Sequence, residues 1–366
     1  MPRGFCGAAP PGRGRPPGRP LFYLFCTILA ALACPAVCAQ HNAAGDPAAL
    51  SDSAQQLATR KQFDEAEKLW RQAIALSPDF FPALFNLGYM HFQLGHYDQA
   101  EPLLARAARV NPKDFNARYV AGATLARLGK REEALRHWRA ALELNPVNTR
   151  LMQVMSVEYS KGRYFQEAAE VAKRALELKS DDPNLYFLAI KAWQDAGNTS
   201  EAFDVARRAV ERFPDSARAN FEYGFHLQKQ GRVEDSLTFL KKAMAADPNY
   251  EEPFFFYGDL LVKQGRYAEA IPYLRSAIRN RNDYIPARVL LARALMQLER
   301  WTEAIQELEE TIRLDPKHPQ PHLLLSQIYF RMGNEEHARK EKDLSLRLRR
   351  ENPTILEAVQ ARPFPE

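Results

Sequence analysis

Histidine is the side chain that proteins use most often for acid–base chemistry and metal binding near neutral pH. Eight histidines are spread along this sequence, at His41, His91, His96, His137, His226, His318, His322 and His337. His318 and His322 stand four positions apart, but prolines flank them, so we do not expect them to share a helix face. The chain also lacks an H-E-x-x-H motif. The sequence therefore predicts no metal site and no cofactor.

Cysteine chemistry is confined to the beginning of the chain. All four cysteines precede residue 39, at Cys6, Cys26, Cys34 and Cys38. The residues that follow therefore hold no disulfide, thiolate nucleophile or cysteine-ligated metal. Glycine-rich phosphate loops and the G-x-S-x-G motif of a serine nucleophile are absent as well. The sequence predicts no catalytic residue, and we interpret the protein as a non-enzyme.

The segment at positions 1–39 has the composition of an export signal. Residues 1–20 are rich in Pro, Gly and Arg, and residues 21–33 form an uncharged apolar run. Small residues follow, and the last of them before Gln40 is Ala39. This order is typical of a signal peptide that is cleaved after Ala39, with residues 40–46 as a linker behind it.

Two alternatives to cleavage stay open. Residues 21–39 form an uncleaved membrane anchor in one, and a lipid is attached at Cys34 in the other. In all three cases the body of the chain is exported, to a bacterial periplasm or out of the cell. We expect membrane contact only if the segment is uncleaved or lipidated.

The net charge does not indicate a nucleic-acid partner. It is formally +5, and four of the basic residues lie within the first twenty positions, at Arg3, Arg13, Arg15 and Arg19. Without this segment the basic and acidic residues nearly balance. A balanced surface offers a polyanion little attraction, so we expect no nucleic acid among the partners.

Proline recurs at a constant interval through the body of the chain. It follows helix-like stretches at Pro78, Pro112, Pro146, Pro214, Pro248 and Pro316, and each gap equals one or two copies of the same period. That period, about 34 residues, is typical of a solenoid built from two-helix units. The units begin at Pro47, Phe81, Phe115, Thr149, Pro183, Ala217, Glu251, Ile285 and Pro319. We call the number of a residue within its unit its place, so the recurring prolines occupy place 32.

Small residues occupy corresponding places in most units, which predicts helix contacts there. Places 20 and 27 are mainly alanine, and place 8 is glycine in four units, which indicates a close approach of the two helices. Trp70 and Trp138, both at place 24, are expected in the core, and His91 is expected to be partly buried and hydrogen-bonded. Left-handed turns between the helices are predicted at Gly95, Gly129, Gly162, Gly197, Gly231, Gly265 and Gly333.

The repeated pattern resembles that of the tetratricopeptide repeat family. One unit carries almost the whole family signature, at Leu87, Gly88, Tyr97, Ala100, Leu104, Ala107 and Pro112. The resemblance covers residues 47–352 and implies an all-α, right-handed superhelical solenoid of about nine antiparallel helix pairs. Residues 353–366 form a short C-terminal tail. The family shares a scaffold rather than a ligand, so the resemblance identifies no partner.

In this fold the first helices of the units line an inner groove, with places 2, 5, 9, 12 and 13 facing it. Aromatic and basic residues recur there, which predicts a binding groove formed by Phe85, Tyr89, Phe92, Tyr119, Phe187, Arg218, Phe221, Phe225, Lys229 and Phe255. The alternative is that these rings pack against the next unit and form part of the core.

We therefore interpret the protein as an exported scaffold or adaptor that binds a protein or peptide segment in its inner groove. A carbohydrate or cell-wall binding module, with sugar rings stacked on the aromatic side chains, is the alternative function. Phenylalanine outnumbers tryptophan and tyrosine at the groove places, which counts against the alternative.

Cleavage of the export signal makes a direct prediction. Protein purified from its native source should begin at Gln40, because small residues stand at the first and third positions before that bond. N-terminal sequencing measures this. An intact Met1 or a lipid-modified Cys34 would contradict it.

Overall fold

The computed structural model of the protein describes residues 45–351, which fold into eighteen α-helices. The first helices of the pairs are α1 (Pro47–Thr59), α3 (Phe81–Gln93), α5 (Phe115–Arg127), α7 (Thr149–Lys161), α9 (Pro183–Asp195), α11 (Ala217–Lys229), α13 (Glu251–Lys263), α15 (Ile285–Gln297) and α17 (Pro319–Arg331). The second helices are α2 (Phe63–Leu76), α4 (Tyr97–Val110), α6 (Arg131–Leu144), α8 (Phe165–Leu178), α10 (Thr199–Arg212), α12 (Val233–Ala246), α14 (Tyr267–Asn280), α16 (Trp301–Leu314) and α18 (Glu335–Glu351). The prediction of an all-α helical solenoid is confirmed.

The predicted signal peptide, residues 1–39, and the tail, residues 353–366, lie outside the described residues. Among the helices of residues 45–351, none combines the length and the apolar character needed to cross a bilayer.

Short polar side chains begin many of the first helices. Asp114 Oδ1 accepts a hydrogen bond from the backbone N–H of Ala117 at 2.7 Å, and Asn148 Oδ1 accepts one from Leu151 at 2.9 Å. Such caps satisfy backbone donors that the first helical turn leaves open. Pro183 is one of three prolines at the first position of a first helix, where the missing N–H is not needed. In the units with such a cap, the sequence of the interunit turn therefore marks where the next unit begins.

Each first helix packs tightly against the second helix of its own unit. A methyl group added at Gly88 would lie 2.7 Å from Leu104 Cγ, and one added at Gly122 would lie 2.5 Å from Trp138 Nε1. The close neighbour of place 8 is thus the large side chain at place 24, and not mainly the alanines at places 20 and 27 that the sequence analysis indicated. Those alanines are buried beside it, as Ala134 illustrates.

The core runs through the whole array as a chain of apolar clusters. Trp70 and Trp138 are buried in it, which confirms the expectation for place 24. Neighbouring first helices also contact each other directly, as α1 with α3 and α11 with α13 do, whereas second helices lie farther apart. The first helices therefore line the inner side of the curved array and the second helices its outer side.

The turn inside each unit uses a left-handed backbone at place 15. Six units have glycine there, with φ between 73° at Gly197 and 79° at Gly95. Three units have another residue in the same conformation, namely Lys61, Arg163 and Glu299. The prediction that Gly162 adopts this conformation is wrong, because its φ is −79° and the left-handed residue is Arg163 with φ 64°.

Replacing Glu299, whose φ is 56°, with glycine should stabilise the protein by about 0.5–1 kcal/mol. The substitution removes the clash of a β-carbon in a left-handed backbone, and part of the gain is offset by the greater freedom of glycine in the unfolded chain. The free energy of unfolding in urea measures the change. Gly265→Glu is the reverse substitution at the same place of the preceding unit. It should destabilise the protein by a similar amount. A lower stability of Glu299→Gly than of the parent protein would contradict this account.

Candidate functional site

A line of stacked aromatic rings runs along the inner face of α3. We call Phe81, Phe85, Tyr89 and Phe92 the aromatic ladder. The ring centroids of successive members lie 5.9, 5.9 and 6.5 Å apart, with interplanar angles of 12°, 6° and 18°. Spacings of three and four positions place these side chains on one face of the helix. The sequence of α3 contains no Asp, Glu, Lys or Arg, so the ladder is an uncharged surface.

The next first helix leaves the ladder accessible. Tyr89 is 39% exposed, and Phe85 and Phe92 are half-buried against the cluster around Leu104. At groove places 9 and 12, α5 has alanines, Ala123 and Ala126, whose methyl groups cover little surface. Tyr119 is half-buried on the same side of α5. The first units therefore present a shallow apolar groove with aromatic walls.

Three of the rings predicted to line the groove are core residues instead. Phe187, Phe221 and Phe255 are only 7%, 8% and 7% exposed, so the expectation of exposed rings is wrong at these positions. Phe221 packs against Tyr250 at 5.3 Å between ring centroids and against Phe256 at 5.5 Å. The alternative of packing against the next unit therefore holds for this part of the array.

The residues that bury Phe221 and Phe255 come from places that the sequence analysis did not consider. Tyr250 and Tyr284 end the interunit turns, at place 34, and Phe256 stands at place 6 of α13. Tyr284 lies 5.2 Å from Phe255, and Phe256 lies 5.1 Å from both Phe255 and Phe225. An aromatic residue at place 34 is therefore a sequence signal that the ring at place 5 of the same unit is buried.

Arg218 and Lys229 stand at the two ends of α11, and each lies over a ring. The guanidinium carbon of Arg218 is 4.3 Å from the centroid of Phe187, and Lys229 Nζ is 4.6 Å from that of half-buried Phe225. Both side chains remain exposed. The rings hold these cations in place without neutralising them.

Buried polar groups connect α9, α11 and α13 behind this surface. Gln194 Nε2 lies 2.9 Å from His226 Nε2, and since an amide nitrogen only donates, the ring nitrogen accepts and His226 is neutral. Burial, with a smaller effect of Lys229, lowers the pKa of His226 to about 4. Burial raises the pKa of Glu222, and the positive charge of Arg218 opposes that rise.

A second polar connection lies one unit further along. Asp259 accepts hydrogen bonds from Gln228 Nε2 at 3.2 Å and from Lys263 Nζ at 2.7 Å. Its carboxylate therefore ties α13 to the preceding first helix. Across the described part of the chain, no three His, Cys, Asp or Glu side chains are grouped closely enough to hold a metal ion.

His91 is buried in α3, as expected, but the predicted hydrogen bond is not formed. Both ring nitrogens lack a hydrogen-bond partner, and the nearest carboxylate oxygen, Glu67 Oε1, is 3.6 Å from Nε2. Burial lowers the pKa of His91, and the nearby Glu67 opposes the change. His91 therefore acts as a neutral core residue behind the aromatic ladder.

Comparison with known protein families finds one family. A sequence profile described as tetratricopeptide repeat matches residues 57–128, 194–253 and 261–328, and a second profile of the same description matches residues 156–217. No curated protein matches the sequence.

Several solved structures have a similar arrangement of helices. One described as a functional characterisation of Pseudomonas aeruginosa pilF superposes with a TM-score of 0.49 at 18% identity, over 59% of this chain and 97% of that one. MamA from Desulfovibrio magneticus RS-1 gives 0.43 at 20% identity, over 46% of this chain and 96% of that one. YrrB, described as a TPR protein with an unusual peptide-binding site, superposes with a TM-score of 0.41 at 21% identity, over 50% of this chain and 95% of that one. Similarities at this level concern the fold alone.

Phe221 and Tyr89 should respond differently to truncation. Phe221→Ala should destabilise the protein by about 3–5 kcal/mol, because the ring is buried among other aromatic residues. Tyr89→Ala should cost less than about 1 kcal/mol, because much of that ring is already in water. Chemical denaturation of both variants measures the difference. Equal losses of stability would contradict the burial described for the two rings.

Proposed function

The chain belongs to the tetratricopeptide repeat family, and from that premise we propose that it binds a segment of a partner protein in the groove lined by its first helices. The observation that carries the proposal is the aromatic ladder of α3. Its rings stand on the inner surface, in a helix without charged residues, and they are partly exposed to water. Aromatic side chains in such positions are typical anchors of protein–protein contacts.

The chemistry of the ladder favours an apolar peptide segment over a sugar. Three of its four members are phenylalanines, which stack well but offer no hydrogen bond to a hydroxyl group. An apolar side chain of a partner gains from leaving water and from contact with the ring faces. An amphipathic helix or an extended strand presents such side chains at regular intervals, and either suits a groove of this kind.

We propose a scaffold or adaptor role, without catalysis, for the array of repeats at residues 47–352. Binding of this type uses surface shape and apolar contact and requires no reactive group. The partner-binding residues in this proposal are Phe85, Tyr89, Phe92 and Tyr119, with Phe225, Arg218 and Lys229 further along the groove. Phe187, Phe221 and Phe255 support the groove from inside.

We further propose that the protein acts after export. This part rests on the sequence of residues 1–39, in which a basic region, an apolar run and small residues follow one another. Cleavage after Ala39 releases the repeats into the periplasm or the medium. Retention of residues 21–39 would instead anchor the same groove at the outer side of a membrane.

Affinity capture tests the proposed groove. Mature protein is immobilised and exposed to a native envelope extract, and the captured proteins are identified by mass spectrometry and then titrated one at a time. Tyr89→Ala should weaken binding of a true partner by about 1–4 kcal/mol, as the loss of a central aromatic anchor does. The fold should remain intact in this variant.

Tyr164→Ala is the matched control. Tyr164 is 40% exposed, close to the 39% of Tyr89, but it stands in the turn between α7 and α8, where its hydroxyl donates to Glu132. This variant should bind the partner normally. A partner that binds Tyr89→Ala as tightly as the parent protein would remove the ladder from the binding site.

A further inference from the structure

Positive charge is unevenly distributed along the inner groove. The first helices α1 and α3 contain no lysine or arginine, whereas five of the later first helices end in one. We call these five the basic row, and its members are Arg127, Lys161, Lys229, Lys263 and Arg331. All five side chains are exposed. The groove thus has no cation on the helix of the aromatic ladder, whereas the basic row lies beyond it, among acidic residues such as Asp195 and Glu252.

The helix dipole explains part of this pattern but not the whole of it. A cation in the last helical turn is stabilised by the partial negative charge at that end, typically by about 0.3–1 kcal/mol. Arg218 lies in the first turn of α11, where the same dipole disfavours a positive charge. Its contacts with Phe187 and Glu222 offset that cost.

The contacts of Arg218 leave its hydrogen-bond donors open. One face of the guanidinium lies over Phe187, and the nearest carboxylate oxygen, Glu222 Oε1, is 3.8 Å from Nε, too far for a hydrogen bond. A guanidinium that is stacked on a ring still presents its planar N–H groups at the edge, where a carboxylate binds with two parallel bonds.

Lys229 is available in a similar way. Its ammonium group lies over Phe225, and it forms no ion pair with any residue in the range 45–351. Lys161 and Lys263 differ, because they bind Glu158 at 3.2 Å and Asp259 at 2.7 Å. Both inner cations of α11 are therefore positioned by rings, Lys229 without an ion pair and Arg218 with only the longer ion pair to Glu222.

We propose that the partner segment is acidic where it lies along α11, and that its carboxylates bind Arg218 and Lys229. The proposal rests on the proposed function, since it assigns chemistry to a second part of the same groove. The two cations stand eleven positions apart along α11, which corresponds to roughly 16 Å. An extended segment covers that span in about five residues. The partner is thus a protein segment with apolar side chains for the ladder and several Asp or Glu residues for α11.

Two synthetic peptides serve as probes. Both are labelled with fluorescein and carry the same leucine and phenylalanine residues, and the remaining positions are all Glu in one peptide and all Gln in the other. Fluorescence anisotropy with the mature protein should show that the Glu peptide binds at least about fivefold more tightly at low salt. The preference should disappear at high ionic strength, because salt screens exposed charges.

Single substitutions locate the effect. Arg218→Gln and Lys229→Gln should each weaken binding of the Glu peptide by about two- to fivefold and leave binding of the Gln peptide unchanged. Lys242→Gln is the matched control, because Lys242 Nζ lies 4.7 Å from the ring of Phe239 on the second helix α12, at the outer side of the array. It should change neither peptide.

The outcomes separate this inference from the proposed function. If the Glu peptide binds no more tightly than the Gln peptide, the proposal of an acidic partner is wrong. The proposal that the ladder binds the partner still stands in that case if Tyr89→Ala weakens the binding of both peptides. If Lys242→Gln weakens the Glu peptide as much as Lys229→Gln does, attraction to the surface as a whole explains the binding and the proposal is also wrong. Failure of the Gln peptide to bind at all counts against the ladder itself.

Discussion

The structure depends on the contact between place 8 of the first helix and place 24 of the second. Where place 8 is glycine and place 24 is leucine or tryptophan, this contact determines how the two helices of the unit pack. At Gly88, Gly122 and Gly258 a β-carbon would stand less than 3 Å from the side chain opposite, so the residue at place 24 leaves no room for a side chain at place 8. Glycine in a helix costs about 0.8–1 kcal/mol relative to alanine, and the buried leucine or tryptophan at place 24 offsets that cost. Places 20 and 27 hold small residues in the same register in all nine units, so each unit presents the same faces to its neighbours, and a solenoid results.

The groove is a consequence of that repeated geometry, and its local character depends on a few neighbouring residues. Place 5 faces the inner surface near the junction with the next unit. A ring at this place is therefore either buried in the core or partly exposed in the groove. In the unit of α11 the turn that follows α12 supplies Tyr250, and Phe221 is buried; in the unit of α3 the turn that follows α4 has Asp114 instead, and the rings of α3 stay partly exposed. An aromatic residue at place 34 is thus one way to bury the ring at place 5, and Arg218 of the next unit covers Phe187, whose own unit has Ser216 at place 34.

This dependence explains what the sequence predicted well and what it did not. The period, the alanines and the tryptophans predict the fold because each reports a contact inside one unit, which recurs in the same register. The exposure of Phe187, Phe221 and Phe255 depends on contacts between units, and the prediction considered only the places within each first helix. The left-handed turn at Arg163 escaped prediction for a related reason: Gly162 is its direct neighbour, and the backbone conformation at place 15 is imposed by the two helices even where the residue is not glycine.

The two parts of the groove differ in side-chain hydrogen bonding as well as in charge. Around α3 the rings rest on apolar side chains, and within residues 45–351 no side-chain hydrogen bond joins α3 to α5. Around α11 each glutamine at place 12 reaches the following first helix, Gln194 to His226 and Gln228 to Asp259, so that three successive helices are joined by buried polar contacts. Buried hydrogen bonds of this kind favour one arrangement, because breaking them leaves desolvated polar groups without partners. The helix α11, which carries Arg218 and Lys229, is therefore joined to both α9 and α13 by contacts that do not involve the two cations themselves.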